Sequence, residues 1–329
     1  MLGVILKELT FCIQGPVAFN SKGTNLTEKL IQSIRLFFPN SQIILSTWEH
    51  ENLNFVDGIR VVQSRDPGSG VRYRHGLNNN INRQIISTNA GLNLVKTKYV
   101  VKVRSDLLIE GSSLGKIILK LPDTIENDFS IFKKYVIVLD RLTFSSRKKE
   151  NPALHVTDML QAGLTSDITK MWNLPLMSFE QERFYENASI EISKQVRNHI
   201  PEFRAEQYFW NELIFKEFGV RLPNTLSRAI NAEIEIEDLF NLNIIPFRFP
   251  TLGISIQKES YASWSRKDSW VSSIYAHTFF DWKQFAREQR IPLKLPLRNL
   301  FWEYRGALYG YIYNKGFNFP PGSKLHRTR

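Results

Sequence analysis

Apolar residues gather along this chain in short runs that end in polar ones. Residues 9–17 (LTFCIQGPV) form an unbroken apolar run stopped by Gly15-Pro16, the pattern of a strand buried on both faces. In residues 25–39 (NLTEKLIQSIRLFFP), Leu26, Leu30, Ile34 and Phe37 recur at helical spacing and Pro39 closes the segment. Residues 42–49 (QIILSTWE) and 59–64 (IRVVQS) read as further strands. Residues 83–95 (RQIISTNAGLNLV) read as a helix of mixed face, and residues 98–109 (KYVVKVRSDLLI) as one more strand. Strand, helix, strand, strand, helix, strand is the order of one half of a doubly wound α/β sheet. Such sheets bind ligands in the crevice outside the carboxyl ends of their strands. Four segments bring polar residues to that edge: Gln14-Gly15, Ser46-Thr47-Trp48, Asp66-Pro67-Gly68 and Arg104-Ser105-Asp106.

The second half is less regular. Residues 123–152 read as a strand hairpin whose exposed loop carries Arg147, Lys148 and Lys149. Residues 153–163 (ALHVTDMLQAG) read as a strand running into a helix at 166–172, with Ser166 as N-cap. Residues 202–219 form an amphipathic helix with Gly219 as C-cap, and residues 230–257 show no single period. The expected division is a body over residues 1–280, with halves at 1–122 and 123–280. A C-terminal extension over 281–329 follows. In that extension, basic side chains such as Arg298, Arg305 and Lys315 alternate with rings such as Phe301, Trp302 and Tyr304. This composition suits an interfacial segment on anionic lipid; packing of the same rings against the body is the other reading.

Composition narrows the partners. With 43% hydrophobic and 23% charged residues, the chain has enough apolar surface to fold around a core rather than remain disordered. The net charge of +11 attracts polyanions: nucleoside diphosphates, anionic lipid or nucleic acid. No helix-turn-helix, RNA-recognition or zinc-finger pattern supports the last of these. The single cysteine, Cys12, lies in an apolar run and reads as a core residue. Lys7 and Glu8 interrupt the opening apolar stretch, which is expected to enter a strand rather than act as an export signal. No apolar run approaches the ~20 residues of a membrane helix. The expected location is the cytoplasm, including the inner face of the membrane.

Several of the strand-end residues suit phosphate and sugar chemistry. A carboxylate at Asp106 can hold a divalent cation on a diphosphate, and Arg104 beside it can pair with phosphate oxygens; a surface ion pair is the plainer alternative. Gly15 and Pro16 after Gln14 allow a base or ribose close to the backbone, or make a tight turn. Ser46 and Thr47 offer hydroxyls, with Ser105 a third, and the Trp48 indole can pack under a nucleotide or belong to the core. Asp66, in a turn, can reach a ribose hydroxyl. Asn82 and Arg83 share a helical turn, and Arg83 is the second candidate for a phosphate or sugar contact. Asp158 and Glu206 are the acids considered for general base, although a carboxylate opening a helix, as Glu206 does, also complements the helix dipole. His277, among aromatic residues, reads as core.

Taken together, IQGPV, FFPNSQIILSTWE, DPG, NRQIISTNAGL and KYVVKVRSDLLI resemble the WavE family of lipopolysaccharide-synthesis proteins. The resemblance is closest over the first 110 or so residues and extends more loosely through Asp158, Gly163 and Glu206-Gln207-Tyr208. It implies a GT-A-like fold: a single Rossmann-like nucleotide-binding domain with a mixed central sheet. It also implies a bacterial glycosyltransferase of lipopolysaccharide or capsule synthesis, acting on a nucleotide-sugar donor and a glycan or lipid-linked acceptor. In that fold an Asp-x-Asp motif at a strand end binds Mg²⁺ or Mn²⁺. The matching position here is Arg104-Ser105-Asp106, so Asp106 is the one expected metal ligand and Arg104 replaces the other acid. Two other readings compete. A sugar nucleotidyltransferase lacks its Gly- and Lys-rich phosphate loop here, and a non-catalytic polyanion-binding protein leaves the polar strand ends unexplained.

Overall fold

The computed structural model describes residues 6–71, 78–144, 153–195, 200–227, 236–257, 276–293, 295 and 299–305. Its first four strands are β1 (Leu9–Gln14), β2 (Gln42–Trp48), β3 (Arg60–Ser64) and β4 (Tyr99–Arg104), and they pair in parallel in the order β3-β2-β1-β4. Between them run α1 (Leu26–Phe37) and α2 (Ile81–Leu92). The Asn25 side chain caps α1 by accepting from the Glu28 N–H at 3.0 Å. This half follows the expected order.

The run expected as one strand over 98–109 is broken. β4 stops at Arg104, residues 105–106 turn, and β5 (Leu107–Ile109) leaves the main sheet to pair antiparallel with β9 (Ile254–Ile256). Val101 and Val103 before the turn and Leu107 and Ile109 after it join the same core, so periodicity alone did not show the break.

The second half widens the sheet. β6 (Val136–Leu139), β7 (Leu160–Leu164) and β8 (Ile244–Phe247) complete the seven-stranded order β3-β2-β1-β4-β7-β6-β8. β7 runs antiparallel to both β4 and β6, whereas β6 and β8 are parallel. Asp158 therefore precedes a strand instead of following one, and the reversed direction of β7 brings it to the edge where β1 and β4 end. The helix after β7, α4 (Thr165–Trp172), has Leu164 rather than Ser166 at its N-cap; α3 (Ser113–Ile118) lies between β5 and β6. The basic cluster Arg147–Lys149 is outside the described residues.

Both faces of the sheet are covered, which is why the strands read as continuous apolar runs. Phe11, Ile13, Val101 and Val103 join one core with Leu30 and Ile34 of α1 and Ile117 of α3. Cys12, Ile44 and Val100 join the other with Ile81 and Ile85 of α2 and Trp172 of α4. Two short helices, α5 (Phe179–Glu182) and α6 (Ile190–Gln195), precede α7 (Ala205–Phe218). α7 is less amphipathic than expected: Gln207, Tyr208, Phe209, Trp210 and Asn211 are all buried. Its polar residues tie neighbouring segments instead, Gln207 donating to the Ala153 carbonyl at 2.8 Å and Asn211 accepting from the Leu222 N–H. Gly219 ends α7 at φ +72°, a left-handed conformation that costs glycine little.

α8 (Ile236–Asn243) leads into β8, α9 (Phe249–Leu252) follows, and α10 (Phe279–Glu288) packs against β8 and α8. The boundary expected at 280/281 falls inside α10. Phe279 stacks on Phe247 at 5.1 Å, and Trp282 and Ala286 belong to the core. Residues 299–305 are also anchored: Asn299 donates to the Thr251 carbonyl at 2.6 Å, and the Glu303 carboxyl accepts from the Arg248 N–H at 3.0 Å and from the Thr251 hydroxyl. Tail residues named above beyond 305, and Arg298, lie outside the described residues. His277 is fully buried. Among the described residues no helix is long and apolar enough to cross a membrane.

Candidate active site

The ends of β1 and β4 are tied crosswise. The Gly15 N–H donates to the Ser46 carbonyl at 3.1 Å and the Ser105 N–H to the Gln14 carbonyl at 3.2 Å, while the Ser105 hydroxyl donates to the Pro16 carbonyl at 2.7 Å. Gly15 sits at φ +118°, a conformation that L side chains rarely adopt. One residue of α2 clamps the same floor. Ser87 accepts from the Gln14 amide at 2.8 Å, its carbonyl accepts from the Ser46 hydroxyl at 2.5 Å, and its own hydroxyl donates to the Arg83 carbonyl at 2.7 Å.

Above this floor opens a cleft of about 460 Å³, within the range of small-ligand sites. Gln14, Gly15, Pro16, Trp48, Asp66, Arg83, Arg104, Ser105, Asp106 and Asp158 all line it. These ten come from six separate segments, each expected from the sequence to carry a site residue.

Two ion pairs shape the walls. Arg83 grips Asp66 through Nε–Oδ1 at 2.7 Å and Nη2–Oδ2 at 2.5 Å, and its Nη1 donates to Asn80 at 3.2 Å. The Arg83 hydrogen bond is the main cause holding the Asp66 carboxyl below the usual range. Asp66 also accepts from the Gly68 N–H at 2.9 Å, so Arg83 fastens the Asp66–Gly68 turn to α2. Opposite, Arg104 grips Asp106 through Nε–Oδ1 at 3.1 Å and Nη2–Oδ2 at 2.8 Å, and its Nη1 lies 3.9 Å from Asp158 Oδ1. Arg104 thus stands between two carboxylates.

Behind Asp158 lies a polar group that the sequence reading missed. Lys102, on β4, is wholly buried, its Nζ 4.6 Å from the Trp172 ring centre and donating to the main-chain carbonyl of Asp158. Burial pulls its ammonium down to about 8. Trp172 donates to Gln161 at 2.6 Å, and Gln161 donates to the Thr157 carbonyl at 3.1 Å. The network fixes the backbone that presents Asp158.

Four expected residues do not reach the cleft. The Ser46 hydroxyl is spent on α2, and Thr47 points to the opposite face, its buried hydroxyl without a partner among the described residues. The Asn82 amide is spent on Met177, accepting from its N–H at 2.7 Å and donating to its carbonyl at 3.1 Å. Glu206 faces His155, with Nε2–Oε2 at 3.4 Å. His155 has its pKa lowered chiefly by burial. The cleft also takes in Phe19, Leu26, His50, Glu51, Asn80 and Gln84. His50 and Glu51 directly follow the strand end already singled out, a signal the sequence did offer; Leu26 reads only as a core position of α1.

The donor set bears on a divalent cation. The lining carries four carboxylates, Glu51, Asp66, Asp106 and Asp158, against Arg83 and Arg104, a formal charge of −2 with His50 neutral. That balance disfavours a bare diphosphate. No group of three or more metal-ligating side chains occurs among the described residues. Asp106 lines the cleft with both oxygens bonded to Arg104, so it can offer one carboxylate at most to an ion that takes its remaining ligands from substrate phosphates and water, a usual mode of Mg²⁺.

A mostly parallel sheet, covered on both faces and opening a polar cleft at the ends of its central strands, defines a Rossmann-like α/β protein with a candidate ligand site at the sheet edge. The chain belongs to the family of WavE lipopolysaccharide synthesis, whose model matches residues 9–307. No curated protein matches it in sequence. Among solved structures it is similar to 4-diphosphocytidyl-2C-methyl-D-erythritol synthase from Anaerococcus prevotii, at 13% identity and a TM-score of 0.31, over 56% of this chain and 84% of that one. It is also similar to a mannose-1-phosphate geranyltransferase from Thermus thermophilus, at 10% identity and a TM-score of 0.32, over 59% and 68%. These partial likenesses say nothing of its chemistry.

Proposed function

We propose that the protein is a GT-A-like glycosyltransferase that moves a sugar from a nucleotide-sugar donor to a glycan or lipid-linked acceptor of the bacterial surface. The observation that carries this reading is the meeting of Arg104, Asp106 and Asp158 in one cleft beneath the ends of β1 and β4. The donor base and ribose lie along Gln14–Pro16 and Trp48, near the Asp66 turn. Arg104 faces the diphosphate and offsets the charge that builds on the leaving group. Arg83 holds the Asp66 turn beside the ribose through its hydrogen bonds to Asp66 and Asn80. Asp158 takes the proton of the acceptor hydroxyl as that oxygen attacks the anomeric carbon and the nucleoside diphosphate departs. Glu206 is set aside as base, since it faces His155 outside the cleft. Mg²⁺ or Mn²⁺ on Asp106, with its other ligands from the diphosphate and water, would supply positive charge to the leaving group.

The test is a thermal-shift screen of nucleotide sugars with and without Mn²⁺, followed by product analysis with the donor that binds. A ligand of the folded state raises the melting temperature by mass action. The expected product is a nucleoside diphosphate; formation of a nucleoside triphosphate and a sugar 1-phosphate when pyrophosphate is added would instead identify nucleotidyl transfer. Manganese without nucleotide is expected to bind only at millimolar concentration, measured by electron paramagnetic resonance. Micromolar binding of the ion alone would reject an ion that depends on the substrate for its ligands.

A further inference from the structure

We infer that the face formed by α10 and residues 299–305 docks on an anionic membrane. Phe280 and Tyr304 meet with ring centres 4.8 Å apart, and Lys283 lies 5.8 and 5.4 Å from the two centres while donating to the Tyr304 hydroxyl at 3.3 Å. Beside them Phe301 meets Trp302 at 5.2 Å, and the Arg305 guanidinium lies 5.8 Å from the Trp302 ring. Phe301 is 57% exposed and Tyr304 53%. The opposite sides of both segments are fixed in the body through Phe279, Trp282, Asn299 and Glu303. The outward rings are therefore held in place rather than left loose.

Charge decides what covers this face. α10 adds Arg287 and, just past its end, Arg290 to the cations Lys283 and Arg305. Of the nearby acids, Asp281 is spent on the capping box with Thr278, and Glu303 is turned inward. Glu288, next to Gln284, is the remaining one. No Asp or Glu follows Glu303 in the sequence, whereas Lys315, Lys324, Arg327 and Arg329 do. Rings with polar tips, set among cations, match the head-group layer of a bilayer bearing acidic lipids. α10 packs on β8, four strands along the sheet from β1, roughly 20 Å at the usual spacing of paired strands. The docked bilayer would thus lie toward the half that contributes Asp158, where a lipid-linked acceptor would approach. The docking claim does not depend on the proposed chemistry.

The experiment is sedimentation of the full chain with vesicles of 70:30 phosphatidylethanolamine:phosphatidylglycerol, against vesicles of phosphatidylcholine alone. Expected are binding to the acidic vesicles only, its loss at 0.5 M salt, and a fall of about thirty-fold in partitioning for Lys283→Gln/Arg305→Gln, from the usual contribution of a surface cation. Phe301→Ser/Tyr304→Ser should weaken binding at least ten-fold with an unchanged melting temperature, since both side chains point outward. Hydrogen exchange on the unaltered chain gives a readout free of folding defects: acidic vesicles should slow exchange in 279–290 and 299–305. Equal binding to both vesicle types, unchanged exchange in these segments, or full binding by both double variants overturns the proposal. So does a dimer that these variants dissociate in a chain that ignores vesicles.

Discussion

Replacing Glu303 by Gln should make the protein more stable in alkaline solution and leave it nearly unchanged in acid. The side chain is 2% exposed, and burial pushes its carboxyl up to about 8 from an ordinary 4.5; nearby Asp140 raises it further, while Thr251, the Arg248 N–H and the Arg248 charge oppose the rise. Asp140 is itself held up by burial, against the pull of Arg248 and Arg141. Between pH 4.5 and 8 the folded chain holds a proton on Glu303 that the unfolded chain has released. Stability therefore falls as pH rises through that window, by about 1.4 kcal/mol per pH unit and about 5 kcal/mol across it. Gln keeps an oxygen to accept from Arg248 and Thr251 but cannot ionise. Melting curves from pH 5 to 9 should show the two proteins close together at pH 5 and the Gln variant several degrees higher at pH 8.5. A difference that stays constant with pH would refute the argument, because it would mean that Glu303 titrates alike in the folded and unfolded chains.

Asp158→Asn should cut turnover by about 10²–10⁴ with little change in donor affinity, whereas Glu206→Gln should stay within a few-fold; similar losses in both would remove Asp158 as the base. Arg104→Ala should weaken nucleoside diphosphate binding by about ten- to a hundred-fold in calorimetry, the worth of a charged hydrogen bond, and unchanged affinity would leave Arg104 as an ion pair only. Gly15→Ala should lower stability by about 1–3 kcal/mol in chemical denaturation, because alanine is strained at φ +118°; a neutral result would show that the turn relaxes.

The part of the fold with simple physics was legible. β1, β2 and β4 are buried on both faces, so they stand out as apolar runs, and the polar residues that close them mark the sheet edge. Side-chain direction was harder to read. Successive residues of a strand point to opposite faces, so Ser46 is spent on α2, Thr47 is buried on the other side of β2, and only Trp48, at its end, reaches the cleft. In α2 each residue turns by about 100°. Asn80, Arg83 and Gln84 therefore share the cleft face while Asn82 looks away toward Met177. The turn at Ser105-Asp106 was hidden because Leu107 and Ile109 prolong the apolar pattern of β4. Lys102 was overlooked because a lysine among valines reads as one exposed position, and its partner is a main-chain carbonyl more than fifty residues away.

Because β7 runs against its neighbours, the cleft receives its acid from the stretch that enters a strand. Every other charged wall residue precedes position 107, so the rest of the charged wall is encoded as one early block and the acid arrives on the connection between β6 and β7. That connection joins two paired strands whose register does not depend on its length. Ala153 to Thr157, just before the acid, are all buried, so Asp158 is presented by packed chain rather than by a free loop.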